Sequence, residues 1–311
     1  MQSTVRGGPL AFKTIVVATD FSVFADRALL KTVELAHRSK ARIILAHVID
    51  PLIYCNALNG APFVLHRIEQ DVREGLENSA EVLRRERIPY ELVVREGIVR
   101  DCLCQLVEDL DADLLVIGTH GESRFDREVV CSVAEKILRV APCLVMTVGP
   151  LSCPSVPGET TSKRLLFATG FSAHSVSALP FADALAHHLG SELYLLHVGT
   201  LSADKDVARN SMEQLEQMAK MHIRLTPRVH CVVQNGGLGD TIAAVASSIG
   251  AVATVMAVQQ EDMRRKPVGG LNQGLIYRIV TQMCCPVFTL HSGLEKGCPR
   301  TQVMDEALLS Q

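Results

Sequence analysis

Short apolar runs alternate with longer amphipathic stretches along this chain, and the whole alternation occurs twice. Apolar runs lie near 14–18, 43–48, 90–94, 113–117 and 143–148, and a second set lies near 164–168, 192–198, 229–233, 252–257 and 286–290. These read as strands. From Ser22 to Ser39 the apolar residues Ala28, Leu29, Val33, Leu35 and Ala36 fall at roughly helical spacing, with Ser22 a natural N-cap. A second helix is predicted over about 63–86, and a third from Asp101, after Gly97. A fourth runs from Ser132 to Arg139 and stops before Ala141-Pro142. Strands alternating with helices predict an α/β fold, here two tandem copies of a five-stranded, mostly parallel sheet flanked by helices.

The doubling is visible residue by residue. Residues 13–50 align without a gap on 163–200, with identities at Ala18/Ala168, Thr19/Thr169, Phe21/Phe171, Ser22/Ser172, His37/His187, His47/His197 and Val48/Val198. Further along, Val93-Val94-Arg95-Glu96-Gly97 matches Val232-Val233-Gln234-Asn235-Gly236 at a smaller offset, so the second copy is shorter in its middle. The stretch from Gly149 to Ser162, rich in Pro, Ser and Thr, reads as the linker. The expected domains are 1–149 and 163–291, followed by a polar C-terminal tail, 292–311.

Composition narrows the function classes. The 311 residues carry 31 Lys and Arg against 34 Asp and Glu, a formal net charge of -3. That balance gives no electrostatic case for nucleic acid or an anionic membrane as partner. A hydrophobic fraction of 48% with 21% charged residues supplies ample core. Neither a run of about 18 uninterrupted apolar residues nor a cleavable leader is present, so a soluble, cytoplasmic protein without membrane insertion is expected. The ten cysteines lack the paired spacing of a zinc site, and no structural metal is expected. Cys102 and Cys104, two apart on a helix, point to different faces.

Parallel sheets take ligands at the carboxyl ends of their strands, where loops run into helix N-termini. In the first copy that rule selects Thr19 and Asp20, Val48 to Asp50, Gly97, the loop Gly118-Thr119-His120-Gly121, and Ser132 at the start of the next helix. The loop glycines would let a ligand approach the backbone. For a lone G-x-x-G, a tight turn is the commoner use.

Together, Val16-Val-Ala-Thr-Asp20-Phe-Ser22, His47-Val48, Val116-Ile-Gly118-Thr-His-Gly121 and Ser132-Val-Ala-Glu-Lys-Ile-Leu-Arg139-Val-Ala-Pro142-Cys resemble the universal stress protein family. The resemblance covers nearly the whole chain, as a tandem. It implies the adenine-nucleotide alpha-hydrolase-like fold, with ATP or another adenine nucleotide, accompanied by Mg, held through G-x2-G-x9-G-S/T after strand four. It further implies Asp20, Val48, Gly118, Gly121 and Ser132 as nucleotide contacts. Thr19 and His120 complete the candidate set by position. Where the family pattern has its third glycine this chain has Cys131. Arg124 and Arg127 in the intervening stretch could pair with phosphate, although such residues are more often solvated.

The second copy has Gly170 in place of the aspartate and Ala257-Val-Gln-Gln260 in place of Gly118-Thr-His-Gly121. Its nucleotide signature is lost. Gly236-Gly-Leu-Gly-Asp240 reads as a turn with Asp240 as N-cap. No G-x-S-x-G elbow, G-x4-G-K-S/T loop or H-E-x-x-H pair occurs, and no catalytic residue is assigned. His47 and His197 sit inside apolar strands and read as core histidines satisfied by a hydrogen bond. The expected function is a stress-response regulatory binder of adenine nucleotide, acting on an unidentified regulatory protein. The alternatives are a nucleotide-free scaffold or chaperone-like protein, and a slow ATP hydrolase. The last apolar strand of each copy is expected to pair with the other, giving an internal pseudo-dimer or, between chains, a homodimer.

Overall fold

The computed structural model describes residues 10–51, 63–119, 131–152, 163–199, 205–258 and 275–291. The first copy contributes β1 (Thr14–Ala18), α1 (Val23–Ser39), β2 (Arg42–Ile49), α2 (Phe63–Ser79), α3 (Glu81–Arg85), β3 (Tyr90–Glu96), α4 (Val99–Asp109), β4 (Leu114–Gly118), α5 (Cys131–Val140) and β5 (Leu144–Val148). The second contributes β6 (Arg164–Thr169), α6 (Ala173–Leu189), β7 (Glu192–Gly199), α7 (Lys205–His222), β8 (Val229–Asn235), α8 (Leu238–Ser248), β9 (Ala251–Val258), α9 (Leu275–Gln282) and β10 (Val287–His291).

The two five-stranded sheets are one. Ten strands run in the order β3-β2-β1-β4-β5-β10-β9-β6-β7-β8. Every neighbouring pair is parallel except β5 and β10, which join the copies antiparallel with Met146 opposite Phe288. Because strand side chains alternate faces, the sheet separates two layers of core. Ile15, Val17, Leu45, Val116, Phe167 and Phe288 pack under α1, α2, α3, α6 and α7. Val16, Ile44, Ala46, Leu115, Val145 and Val287 pack under α4, α5, α8 and α9. Both cores run through the seam without interruption.

Helix boundaries differ from the sequence reading in four places, the smallest being α5, which runs from Cys131 to Val140 where the sequence predicts Ser132 to Arg139. The single helix over 63–86 is broken at Ala80 into α2 and α3, which lets Leu76 and Leu83 bury in the same core on either side of the break. Helix α4 begins at Val99 rather than Asp101, because Ile98 takes the extended cap conformation and Asp101 joins the first turn. In the second copy Gly237 is the N-cap and Asp240 sits in the first turn of α8, where its charge complements the helix dipole.

Side chains around the seam reinforce the ladder. Arg38 donates to the backbone oxygen of His188 at 3.2 Å, and the Ser39 hydroxyl meets His188 Nε2 at 3.3 Å. Residues 38 and 188 are images of one another under the repeat, so an approximate two-fold axis passes between them. Lys163 pairs with Glu34 at 3.3 Å. Gly149 lies where a Cβ would stand 2.8 Å from the Val280 oxygen, too close for any side chain. A backbone of the second copy therefore presses directly on the first.

Candidate functional site

Within the first copy the strand order reverses between β1 and β4. The loop after β1 leads into α1 on one face of the sheet, while the chain after β4 reaches α5 on the other. Divergence of this kind opens a crevice at the carboxyl ends of the strands. Thr19 and Asp20 stand at the end of β1, Val48 and Asp50 at the end of β2, and Gly118 and Thr119 at the end of β4. The backbone bonds record the split, since the Thr19 amide donates to Ala46 on β2 at 2.9 Å while the Thr119 amide donates to Val148 on β5 at 3.1 Å.

The turn after β1 is built by its own side chains. The Thr19 hydroxyl accepts the Phe21 amide at 3.0 Å, Asp20 Oδ1 accepts the Ser22 amide at 3.1 Å, and Ser22 Oγ accepts the Ala25 amide at 3.2 Å. Ser22 is thus the N-cap its position suggested. Asp20 is exposed with its carboxylate oriented by that bond, whereas Thr19 is buried. Phe21 adopts a left-handed φ of 64°, a conformation that non-glycine residues rarely hold. Its ring stacks on His47 at 4.6 Å and packs against Gly75, where a Cβ would stand 2.8 Å from the ring edge. The second copy repeats the device, with Phe171 at φ 62° over His197 at 4.2 Å.

His47 is a core histidine. Its Nδ1 donates to the Thr19 oxygen at 2.8 Å, as His197 Nδ1 does to Thr169 at 3.0 Å. Burial holds the His47 imidazole below its ordinary range, opposed by the Thr19 bond and the nearby Asp20 charge.

Gly118 has a structural reason of its own. A Cβ there would stand 3.2 Å from the Ala25 nitrogen and the Phe24 carbonyl carbon, so its hydrogen lets the first turn of α1 lie against β4. Gly170, which replaces Asp20 in the second copy, faces open space, with no heavy atom within 4 Å of where a Cβ would stand. Val48 is buried on the face covered by α4 and α5.

His120 and Gly121 lie outside the described residues, as do Arg124 and Arg127. Ser132 falls in the first turn of α5, with its side chain outside the described set. Among the described residues no group of His, Cys, Asp and Glu is arranged to hold a metal ion, and no helix is long and apolar enough to cross a membrane. Two residues of the site have roles that the sequence did not reveal. Phe21 holds its turn through a left-handed backbone that the repeat identity alone did not reveal. Tyr277 on α9 donates its hydroxyl to the Thr119 oxygen at 2.9 Å across the seam.

Comparison with known proteins agrees with this architecture. The universal stress protein family pattern matches residues 11–149 and again 161–279. A universal stress protein of Methanocaldococcus jannaschii is 25% identical over 150 residues, 48% of this chain and 88% of that protein. A putative universal stress protein of Staphylococcus saprophyticus is 31% identical over 150 residues, 47% of this chain and 88% of its own length. Each therefore matches about one copy. The crystal structure of a universal stress protein from Archaeoglobus fulgidus superposes with a TM-score of 0.68 at 19% identity, covering 90% of this chain and 97% of that one. With its sequence pattern met twice and its fold reproduced across both copies, the chain belongs to the universal stress protein family.

Proposed function

We propose that the first copy binds an adenine nucleotide, ATP or a relative with its magnesium, and that the protein acts as a regulatory binder rather than as a catalyst. The observation that carries the reading is Asp20, an exposed carboxylate oriented at the end of β1 and beside the crevice where β1 and β4 diverge. A carboxylate there accepts from ribose hydroxyls, the backbone at Val48 meets the base, and the amides opening α5 near Ser132 face the phosphates. Thr19, Gly118, His120 and Gly121 complete the lining. Nucleotide bound there changes the surface between Gly118 and Ser132 that a regulatory protein reads.

The second copy has no such carboxylate at Gly170, so binding is assigned to the first copy alone. Turnover is not assigned. Phosphoryl transfer requires a charge clamp and an oriented water, and the imidazole of His47 is committed to Thr19 beneath the Phe21 ring. One observation favours the nucleotide-free scaffold, namely that close packing against α1 accounts for Gly118 without any ligand.

Nucleotide content of the purified protein, followed by calorimetry with ATP and magnesium, separates the readings. Asp20→Ala should weaken ATP binding by about 1–3 kcal/mol, the range for a lost polar contact. Full-length protein that neither carries nor binds nucleotide leaves the scaffold reading standing, and steady phosphate release by the pure protein promotes the hydrolase.

A further inference from the structure

The repeat is asymmetric at one point that touches the site. Counting back from the matched last strands β5 and β10, Tyr277 on α9 takes the place that Ala134 holds on α5. Only the second copy therefore carries a phenol in this position. Its ring is buried in the core beneath α9, and its hydroxyl donates to the Thr119 oxygen at 2.9 Å. Thr119 is 1% exposed, and its amide and hydroxyl both reach the Val148 oxygen, at 3.1 and 3.4 Å. Thr119 follows Gly118 directly, at the edge of the crevice. Thr119, the residue after β4, is thus held through its amide by β5 of its own copy and through its carbonyl by a helix of the second copy.

That helix is itself fixed. The Val280 oxygen closes on Gly149, and His291, at the end of β10, donates from Nε2 to the Leu138 oxygen on α5. Two directed hydrogen bonds consequently run from second-copy side chains to first-copy carbonyls. The side chains at the equivalent positions, Ala134 and Val148, have no polar atom with which to return them.

The geometry points to Tyr277 as a positioning residue for the first-copy crevice, so that the copy without a nucleotide signature tunes the copy that has one. A carbonyl held by a phenol keeps one orientation, and the end of β4 is presented to ligand already arranged. Loss of the bond releases the Thr119 carbonyl and lowers affinity without removing any ligand contact. The affinity part of this inference rests on the nucleotide reading, whereas the positioning part does not.

The test uses full-length Tyr277→Phe, which keeps the ring and deletes only the hydroxyl. Amide hydrogen exchange followed by NMR should quicken at Thr119 by roughly two- to tenfold, the range for one hydrogen bond. Amides of β1, such as Val16 and Val17, should exchange unchanged, which a general loosening of the fold would not allow. ATP with magnesium, titrated by calorimetry, should bind the variant roughly two- to tenfold more weakly. Equal exchange at Thr119, or equal ATP affinity in a protein whose native form binds ATP, overturns the inference. If native protein binds no ATP, the nucleotide reading fails alone, and the exchange at Thr119 then decides the positioning role by itself.

Discussion

Asp183 shows what one side chain does for the second copy. It is 2% exposed in α6, and its carboxylate accepts the amides of Arg224 at 2.7 Å, Leu225 at 2.9 Å and Thr226 at 2.8 Å. Three donors in the turn between α7 and β8 depend on it. At the aligned position of the first copy stands Val33, so the repeat gave no hint of this role. Asp183→Ala should cost about 2–4 kcal/mol in urea unfolding, since it orphans the buried amide of Thr226 and the part-buried amides of Arg224 and Leu225, and an orphaned buried amide is worth about 1–3 kcal/mol. Asp183→Asn keeps an acceptor oxygen and should lose less. A loss below about 1 kcal/mol for the alanine variant would show that water replaces the carboxylate. The left-handed Phe21 and Phe171 belong to the same scale. Identity between the copies marked both positions, but an aromatic side chain carries no sequence cue for positive φ, so their turns were not legible.

At the scale of elements, the strands were readable because a buried parallel strand is a short apolar run, whichever helix covers it. Helix ends were readable where a side chain caps them, as Ser22 and Ser172 do. They were not readable at Ile98 and Gly237, which cap without a side-chain bond. The break at Ala80 escaped for the opposite reason, because the residues on both sides keep an apolar pattern and no proline or glycine announces it. The candidate site was legible in the same measure. Its strand-end positions follow from the fold, whereas the Gly118 contact with α1 and the Tyr277 bond, 158 residues away from its acceptor, depend on tertiary packing.

Element ends also set the response to pH. Burial lowers His47 in β2, His188 at the close of α6 and His291 at the end of β10, with Arg38 and His187 adding to the effect at His188. A histidine whose folded pKa lies below its unfolded value of about 6.5 binds fewer protons when folded. Its contribution is present above that value and is lost as the pH falls towards the folded pKa. The thermal midpoint should therefore drop on acidification from about pH 7.5 to about 5.5, and His188→Gln should flatten that fall. A midpoint that rose over the same window would contradict the assignment of the buried His47 and His291 and the half-buried His188 as neutral in the fold.

The whole molecule is organised by one antiparallel ladder. Separated from its partner, a fragment of residues 1–149 would expose the β5 edge that Val287, Phe288 and Thr289 cover. Exposed edges seek pairing, so this fragment should self-associate, as sedimentation would show, and a strictly monomeric fragment at high concentration would count against the ladder as the organising contact. In the intact chain the same contact forms between parts of one molecule. Its occupancy follows the folding equilibrium and not the square of protein abundance. A crevice stiffened from across the β5–β10 seam therefore stays assembled when only a few copies exist in a cell. On the proposed nucleotide reading, binding at the first-copy crevice would carry no concentration threshold from this seam, because the two copies cannot dissociate from one another.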